Sequence, residues 1–499
     1  MSRSSAVMPG PALSWSGDVP QDAPTLWAVT VGASGPAAGA AGLTGRLGAE
    51  VGRVLDAVVA TGFEPTAGAV ASYPLLNGDA RELVLVGTGG GTAADLRKAG
   101  AAVARRSRGH DRAVAVVAEG TDVQAFTEGV VLGAFSFHRK TAEPHKPVAP
   151  RVVLTDGSGG DQVPAVERGV VIGRAGWLAR ELASTPSNEK DPSWLADRAV
   201  EVAKTGDLEV TVWDEQKLAA EGFGGIVAVG GGSTRPPRLI RLAYTPADVA
   251  DDTPYVVVVG KGITFDTGGL SLKPRESMVS MKRDMTGGGS VIAAMSVLSE
   301  LGAQIRVTGL VCAAENMPSG TAYRPDDVVR HYGGRTTEVK NTDAEGRMVL
   351  ADGLAYAAAE LRPDAIVDVA TLTGAIKVSL GSMLYGGMYA TDDALADNLA
   401  EAGELSGERL WRMPLPEEYT ELISTPVADA VNSGSGPGSI TAALFLKPFA
   451  GDVPWAHLDL SSIAESPADE YEYTLGATGA GARLLATWLA SDNPVAGVG

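Results

Sequence analysis

A single cysteine, Cys312, closes off two chemistries at once. No intrachain disulfide can form, and no zinc site can be built from thiolates. Cys312 stands in the apolar run 307–314, where buried packing is its expected role. Aromatics make up only 5% of the chain, so Ala, Val, Leu and Gly must supply the core. Basic residues also fall short: 41 Lys and Arg face 60 Asp and Glu, for a formal net charge of −19. That balance disfavours a general nucleic-acid binder, which needs a basic surface against phosphates. It equally disfavours attachment to an anionic membrane. No apolar run is long enough to span a bilayer. Pro9, Gly10 and Pro11 interrupt any apolar core behind Arg3, so no secretory leader is expected and the cytoplasm is the default compartment.

What remains is an ordinary globular composition, 45% hydrophobic and 20% charged over 499 residues. That length allows two or three domains, and no internal repeat is found. Residues 1–25 are rich in Ser, Pro, Gly and Asp and read as a mobile arm. Residues 26–165 alternate short apolar strands (26–31, 83–87, 113–117) with helical patterns (93–106, 123–135). This predicts a small N-terminal α/β domain with a partly parallel sheet. Gly87-Thr-Gly-Gly-Gly91 follows a strand, but no acid-ended strand comes after it at nucleotide-binding distance, so a tight strand-helix turn is the preferred reading. The boundary is expected between residues 156 and 171, after the proline-rich stretch 141–150. Residues 170–499 form a larger α/β domain. Its strands are expected at 207–212, 254–260, 306–313, 365–370 and 455–460, with a glycine-rich loop at 222–237 and helices at 290–301 and 481–490. The four consecutive valines Val256 to Val259 mark a buried central strand.

The chemistry concentrates in Asn341-Thr-Asp-Ala-Glu-Gly-Arg347. Residues 336–340 read as extended. Residues 347–361 read as helical, with Leu350, Leu354, Ala358 and Leu361 at helix spacing. The acid pair Asp343 and Glu345 therefore stands on a strand-to-helix turn, where open α/β sheets bind ligands. Acids also favour a helix's first turn on electrostatic grounds alone. The valine strand leads into Lys261-Gly-Ile-Thr-Phe-Asp-Thr-Gly-Gly269, then Lys273 and Asp284 follow. Each of these has a plain reading as a surface lysine, a turn residue or a helix cap. Together they allow four carboxylates to converge at one sheet edge. Such a cluster needs cations, and two divalent metals sharing carboxylates are the natural answer.

These two segments resemble the signatures of the leucyl (cytosol) aminopeptidase family. Glu315-Asn-Met-Pro-Ser-Gly, Thr371-Leu-Thr-Gly-Ala, Ser439-Ile-Thr-Ala-Ala and Trp455-Ala-His-Leu-Asp match in order, and the similarity runs from about residue 179 onward. The resemblance implies a larger catalytic domain with a mixed central sheet between helices. It implies two divalent ions per subunit, Mn²⁺ or Zn²⁺. Asp266 and Glu345 would bridge them, Asp343 would bind one, and Lys261 and Asp284 the other. An amine ligand must be neutral, and free lysine has a pKa near 10.4, but a dication can displace that proton. A metal-activated hydroxide would attack the first peptide bond, Lys273 would stabilise the oxyanion, and Arg347 would hold a bicarbonate that carries the proton to the leaving amine. Peptide substrates with a free α-amine and a homohexamer are implied on the same basis.

Histidine is absent from both signatures, and His457 is expected to be a buried, hydrogen-bonded structural residue. The chain departs from the family pattern at Thr286-Gly-Gly-Gly289, where Met285 is usually followed by Gly-Gly-Ala-Ala. It departs again at Asp326, where glycine is usual, and at Ser461-Ser462, where Ala-Gly is more frequent and the pocket for the first side chain lies nearby. Two other readings stand beside the peptidase. One is a regulatory, DNA-binding role, against which the acidic balance weighs. The other is a different two-metal hydrolase such as a phosphatase, against which the missing histidine shell weighs.

Overall fold

A computed structural model of the chain describes residues 10–20, 24–43, 49–57, 62–75, 80–142, 146–250 and 253–499. Two compact units emerge: Met1–Trp177 with Pro467–Leu475, and Leu178–Ser466 with Gly476–Gly499.

The first unit is built on β1 (Ala12–Trp15), β2 (Leu26–Gly32), β3 (Gly35–Pro36), β4 (Val70–Pro74), β5 (Glu82–Gly87), β6 (Ala113–Val116) and β7 (Arg151–Thr155). Their order is β1-β7-β6-β2-β5-β4, with β3 beside β2. The β1–β7, β6–β7, β2–β6 and β2–β5 pairs are parallel, and β4–β5 is antiparallel. The reading of residues 1–25 as an arm is corrected at β1. There Leu13 and Trp15 alternate inward onto the core while Ala12 and Ser14 do not, a two-residue period hidden in a Pro/Ser-rich setting. Residues 1–9 and 21–23 of that arm lie outside the described residues, as do 143–145 of the proline-rich stretch. The helix Val163–Ser184 runs straight through the expected boundary region.

Helices Ala93–Arg106 and Val123–Gly133 nearly touch backbone to backbone. A Cβ on Gly129 would lie 2.1 Å from the Arg97 carbonyl oxygen. The buried Arg97–Glu128 pair, 2.7 Å apart, spans them. The glycine-rich turn after β5 leads into the first of these helices. There Asp95 Oδ2 accepts from Gly90 N at 3.1 Å, which puts a negative charge where a phosphate would have to sit.

The second unit carries β8 (Glu209–Trp213), β9 (Arg238–Tyr244), β10 (Tyr255–Asp266), β11 (Arg306–Asn316), β12 (Val328–Arg330), β13 (Thr336–Glu338), β14 (Ala365–Ala370), β15 (Gly386–Ala390), β16 (Leu410–Arg412), β17 (Ala430–Val431) and β18 (Trp455–Asp459). The main sheet is mixed, in the order β16-β15-β18-β14-β10-β11-β9-β8. Strand β10 lies at its centre and is buried from Val256 to Ile263. It outruns β14, which pairs only as far as Gly260, and continues beside β11 through a register shift between Ile263 and Phe265. Past Gly260 the strand has lost β14 on one side, and this is the edge at which Lys261 and Asp266 stand.

Two local expectations change. Strand β13, which precedes the acid motif, belongs to a separate three-stranded sheet, β12-β13-β17, not to the main sheet. Within the stretch read as a glycine-rich loop, Gly224–Gly230 is helical. Its glycines admit the backbone of the motif helix, Glu345–Tyr356: a Cβ on Gly225 would meet the Met348 carbonyl oxygen at 2.2 Å. Asp352 from that helix accepts from Ile226 N at 2.8 Å, so tertiary contact overrides weak helix propensity.

The helix Thr286–Met295 lies against β10 and β14. A Cβ on Gly287 would fall 1.9 Å from the Val369 carbonyl oxygen, and one on Gly288 2.6 Å from Val311 Cγ1. At Gly289 the nearest atom is the flexible Met285 Cε at 3.0 Å. Gly289→Ala should therefore be tolerated and raise stability by up to ~1 kcal/mol through helix propensity. Gly287→Ala should cost about 1–3 kcal/mol by overpacking. Thermal midpoints of the two variants test this, and equal midpoints would contradict it.

Candidate metal centre

The crevice beyond β10 collects the residues singled out in the sequence. Lys261 leaves the strand buried, and its Nζ lies 2.7 Å from Asp284 Oδ2 and 2.8 Å from Glu345 Oε1. It also donates to the Thr371 carbonyl at 3.0 Å. Asp266 ends the strand, and the chain turns back through Gly268 and Gly269, both with positive φ, so only glycine passes without strain. That turn returns Lys273, whose Nζ lies 2.8 Å from Asp266 Oδ2 and 2.5 Å from Asp343 Oδ1. Asp284 follows the short turn Met281–Arg283, and its Oδ1 accepts from Thr371 Oγ1 at 2.8 Å. Glu345 and Arg347 lie in the first turn of the motif helix. Gly346 serves a purpose different from turning: a Cβ there would come 2.4 Å from Lys261 Cε and 2.6 Å from its Nζ, so the missing side chain makes room for the lysine.

Two loops are cross-linked to hold this arrangement. Thr342 Oγ1 donates to the Gly268 carbonyl at 2.7 Å and accepts from Ser271 N at 2.8 Å. The Thr342 carbonyl accepts from Tyr323 OH at 2.9 Å and from Asn316 Nδ2 at 3.0 Å. The same Asn316 amide donates to Asp266 Oδ1 at 2.9 Å, tying one acidic loop to the other. Asn432 grips Asn341 from both sides, accepting from its N–H at 3.2 Å and donating to its carbonyl at 2.7 Å. Buried Asp459 accepts from Leu372 N, Thr373 N and Thr373 Oγ1, which fixes the loop that offers Thr371 to Lys261 and Asp284. Of these holding residues, Asn316, Thr371 and Asp459 fall in the supporting segments, where amide, hydroxyl and carboxylate groups beside apolar strands are a usable signal. Asn432 falls in a Gly/Ser-rich stretch with none.

Asp266, Asp343 and Glu345 can bring one oxygen each within 4.8 Å of one another. Burial pushes the Asp266 carboxyl up to about 6, and Glu345 adds to the rise. Burial likewise raises Asp284 and Glu345, with Lys261 opposing in both. For the lysines, burial works against the charge, but the facing carboxylates win. Lys261 is held well above the ordinary lysine range by Asp284, Glu345 and Asp266, and Lys273 by Asp266 and Glu345. The ammonium contacts at Asp284 Oδ2 and Asp343 Oδ1 are ion pairs without hydrogen-bond alignment, and Glu345 Oε2 is buried with no partner. Crowded carboxylate oxygens with unsatisfied lone pairs are a donor set for hard divalent cations, and the residues present fit such ions.

Arg347 is buried beside this cluster, its guanidinium 6.0 Å from the Phe445 ring centroid and its Nε without a partner. Burial lowers its pKa to about 10, with Glu345 and Asp459 resisting, so it stays cationic at neutral pH and can receive an anion. His457 stands apart. Its Nδ1 lies 2.6 Å from Asp368 Oδ1, and its ring stacks near Tyr389 and Trp455 inside the sheet's core. Cys312 is buried on β11.

Over residues 177–486 the chain matches the catalytic domain of the cytosol aminopeptidase family, and over residues 29–143 that family's N-terminal domain. It is 44% identical over 430 residues to the probable cytosol aminopeptidase of Micrococcus luteus, spanning 81% of this chain and 83% of that protein. Identity to the probable cytosol aminopeptidase of Streptomyces avermitilis is 43% over 468 residues, 89% of each. The solved structure of the bottromycin maturation enzyme BotP in complex with Mn is similar with a TM-score of 0.82 and 36% identity, over 94% of this chain and 99% of that one.

The cross-link through Thr342 is directly testable. Thr342→Val keeps the shape but strands the buried Gly268 carbonyl, at about 1–3 kcal/mol, and frees the partly buried Ser271 N. Its melting temperature should fall, and Thr342→Ser should recover most of the loss. A Thr342→Val protein that melts like the parent would remove the cross-link from the account.

Proposed function

This chain belongs to the cytosol aminopeptidase family, and from that membership we propose a two-metal mechanism carried by the residues of the β10 crevice. The enzyme is an aminopeptidase acting on peptides. The observation that supports the finer reading is the convergence of Asp266, Asp343 and Glu345 with a partnerless Glu345 oxygen, flanked by Lys273 and Arg347. Asp266 and Glu345 would be shared by two divalent ions, Asp343 would complete one site, and Lys261 with Asp284 the other, where Lys261 would give up the proton it shares with Asp284 and Glu345 in the metal-free site. Mn²⁺ or Zn²⁺ suits these donors, and BotP was solved in complex with Mn. When bound, such ions bring the pKa of a water to roughly 7 and polarise a carbonyl.

The chain's own residues supply the rest. A peptide's free α-amine would be held at the metal pair that these carboxylates carry, which would restrict cleavage to the N-terminus. Lys273, its ammonium set beside Asp266 and Asp343, works as a positive donor toward the scissile carbonyl oxygen as charge develops there. Arg347, cationic with an open N–H, holds bicarbonate as a borrowed base that passes a proton to the leaving amine. Leucine and other N-terminal residues are the products. A cytoplasmic homohexamer is proposed from the family alone.

Protein supplied with Mn²⁺ should hydrolyse leucyl-p-nitroanilide and short peptides, and chelation should abolish this. Asp343→Ala and Glu345→Ala should lose both activity and bound metal; full activity in either would sink the assignment. Lys273→Ala should lower kcat about 10²–10³-fold, the scale of a lost oxyanion donor, with metal content retained.

A further inference from the structure

Away from the acid cluster lies a second fully buried lysine. Lys190 has no accessible surface, and no carboxylate pairs with it among the described residues. Its three donors go to main-chain carbonyls: Leu182 at 2.8 Å, Ala183 at 3.2 Å and Lys282 at 2.6 Å. The first two belong to the last turn of the helix Val163–Ser184, whose free carbonyls favour a cation. The third belongs to the turn Met281–Arg283, immediately before Asp284. Lys282 reciprocates, its Nζ donating to the Ser184 carbonyl at 2.6 Å.

Lys190 is itself fixed. It closes a turn through its N–H to the Pro186 carbonyl at 2.9 Å, and Ser187 in that turn donates to the Thr264 carbonyl at 2.8 Å. Thr264 lies on β10 between Lys261 and Asp266. The turn therefore braces two elements separately: through Ser187 the strand that carries Lys261 and Asp266, and through the Lys190 side chain the turn that carries Asp284. Three acceptors demand an ammonium, although burial, with Lys282 adding to it, pulls the pKa well below the ordinary lysine value. A methionine or leucine would fill the space without that cost but could not hold the Lys282 carbonyl.

We propose that Lys190 is a positioning residue for Asp284, and that it sets the cation affinity of the Lys261–Asp284 half of the centre without touching the Asp266–Asp343–Glu345 half. The proposal rests on the two-metal reading above. Calorimetric titration of chelator-treated full-length protein with Mn²⁺ tests it, with melting temperature measured alongside. The parent chain should show two sites. Lys190→Met should keep one at parental affinity and weaken the other about 10–100-fold, the usual scale for a residue that orients a ligand. Lys190→Gln, which retains two donors, folds more easily and should show the same selective loss at smaller size. Equal weakening of both sites, or no weakening in either variant, overturns the positioning role while leaving two-metal binding intact. A parent chain that binds no Mn²⁺ overturns the two-metal reading and this proposal with it.

Discussion

Four carboxylates, three of them buried, cannot crowd together unless positive charge stands between them. Burial and repulsion from the neighbouring acids push protons back onto Asp266, Asp284 and Glu345. Much of the second unit answers that constraint. Lys261 and Lys273 are interleaved with the acids, each touching two of them. Removing one partner from such a set leaves an uncompensated buried charge, which is far costlier than the pair is stabilising. Without bound cations the arrangement therefore depends on both lysines, and its supports are correspondingly dense. A register shift in β10 re-aims Asp266, a glycine in the motif helix clears space for Lys261, and hydrogen bonds through Thr342, Asn316 and Asn432 lock the two acidic loops together.

Much of this was legible in the chain because strong apolar runs announce central strands. Residues 365–370 match β14 from end to end, and the valine run lies within β10. The acid motif could be placed at a helix start because Leu350 and Leu354 keep helical spacing. What escaped the sequence depended on long-range contact. The helix Gly224–Gly230 looks like loop until the backbone of another helix is laid against it. Strand β13 reads as extended, but nothing local says that its partners are β12 and β17. Asn432 and Lys190 carry no periodic signal, since each acts through side-chain hydrogen bonds to backbone that include partners far away in the chain.

The departures from the family pattern have physical readings. Asp326, where the family resemblance leads one to expect glycine, adopts φ 72°, a region that aspartate tolerates better than most residues. Its N–H bonds to the Val339 carbonyl at 2.7 Å and its carboxylate meets Lys340 at 2.7 Å, which helps offset the strain. Ser461, where the family resemblance leads one to expect alanine, adds a hydroxyl donor to Asp459 at 2.8 Å and so reinforces the anchor of the Thr371 loop. The triple glycine beside β10 lets the helix Thr286–Met295 rest directly on strand backbone at two of its three positions.

The assignment of Pro467–Leu475 to the first unit has a consequence for the order of events during synthesis. The Tyr473 carbonyl receives Arg105, and the Tyr471 ring lies 4.6 Å beneath the Lys98 ammonium. These partners leave the ribosome roughly 290 residues after Trp177, some 15–60 s later at about 5–20 residues per second. Through that interval the N-terminal unit must persist without its last segment. Its final closure waits on a stretch of chain made only after nearly all of the catalytic unit, so the two halves of the nascent protein cannot finish folding in simple succession.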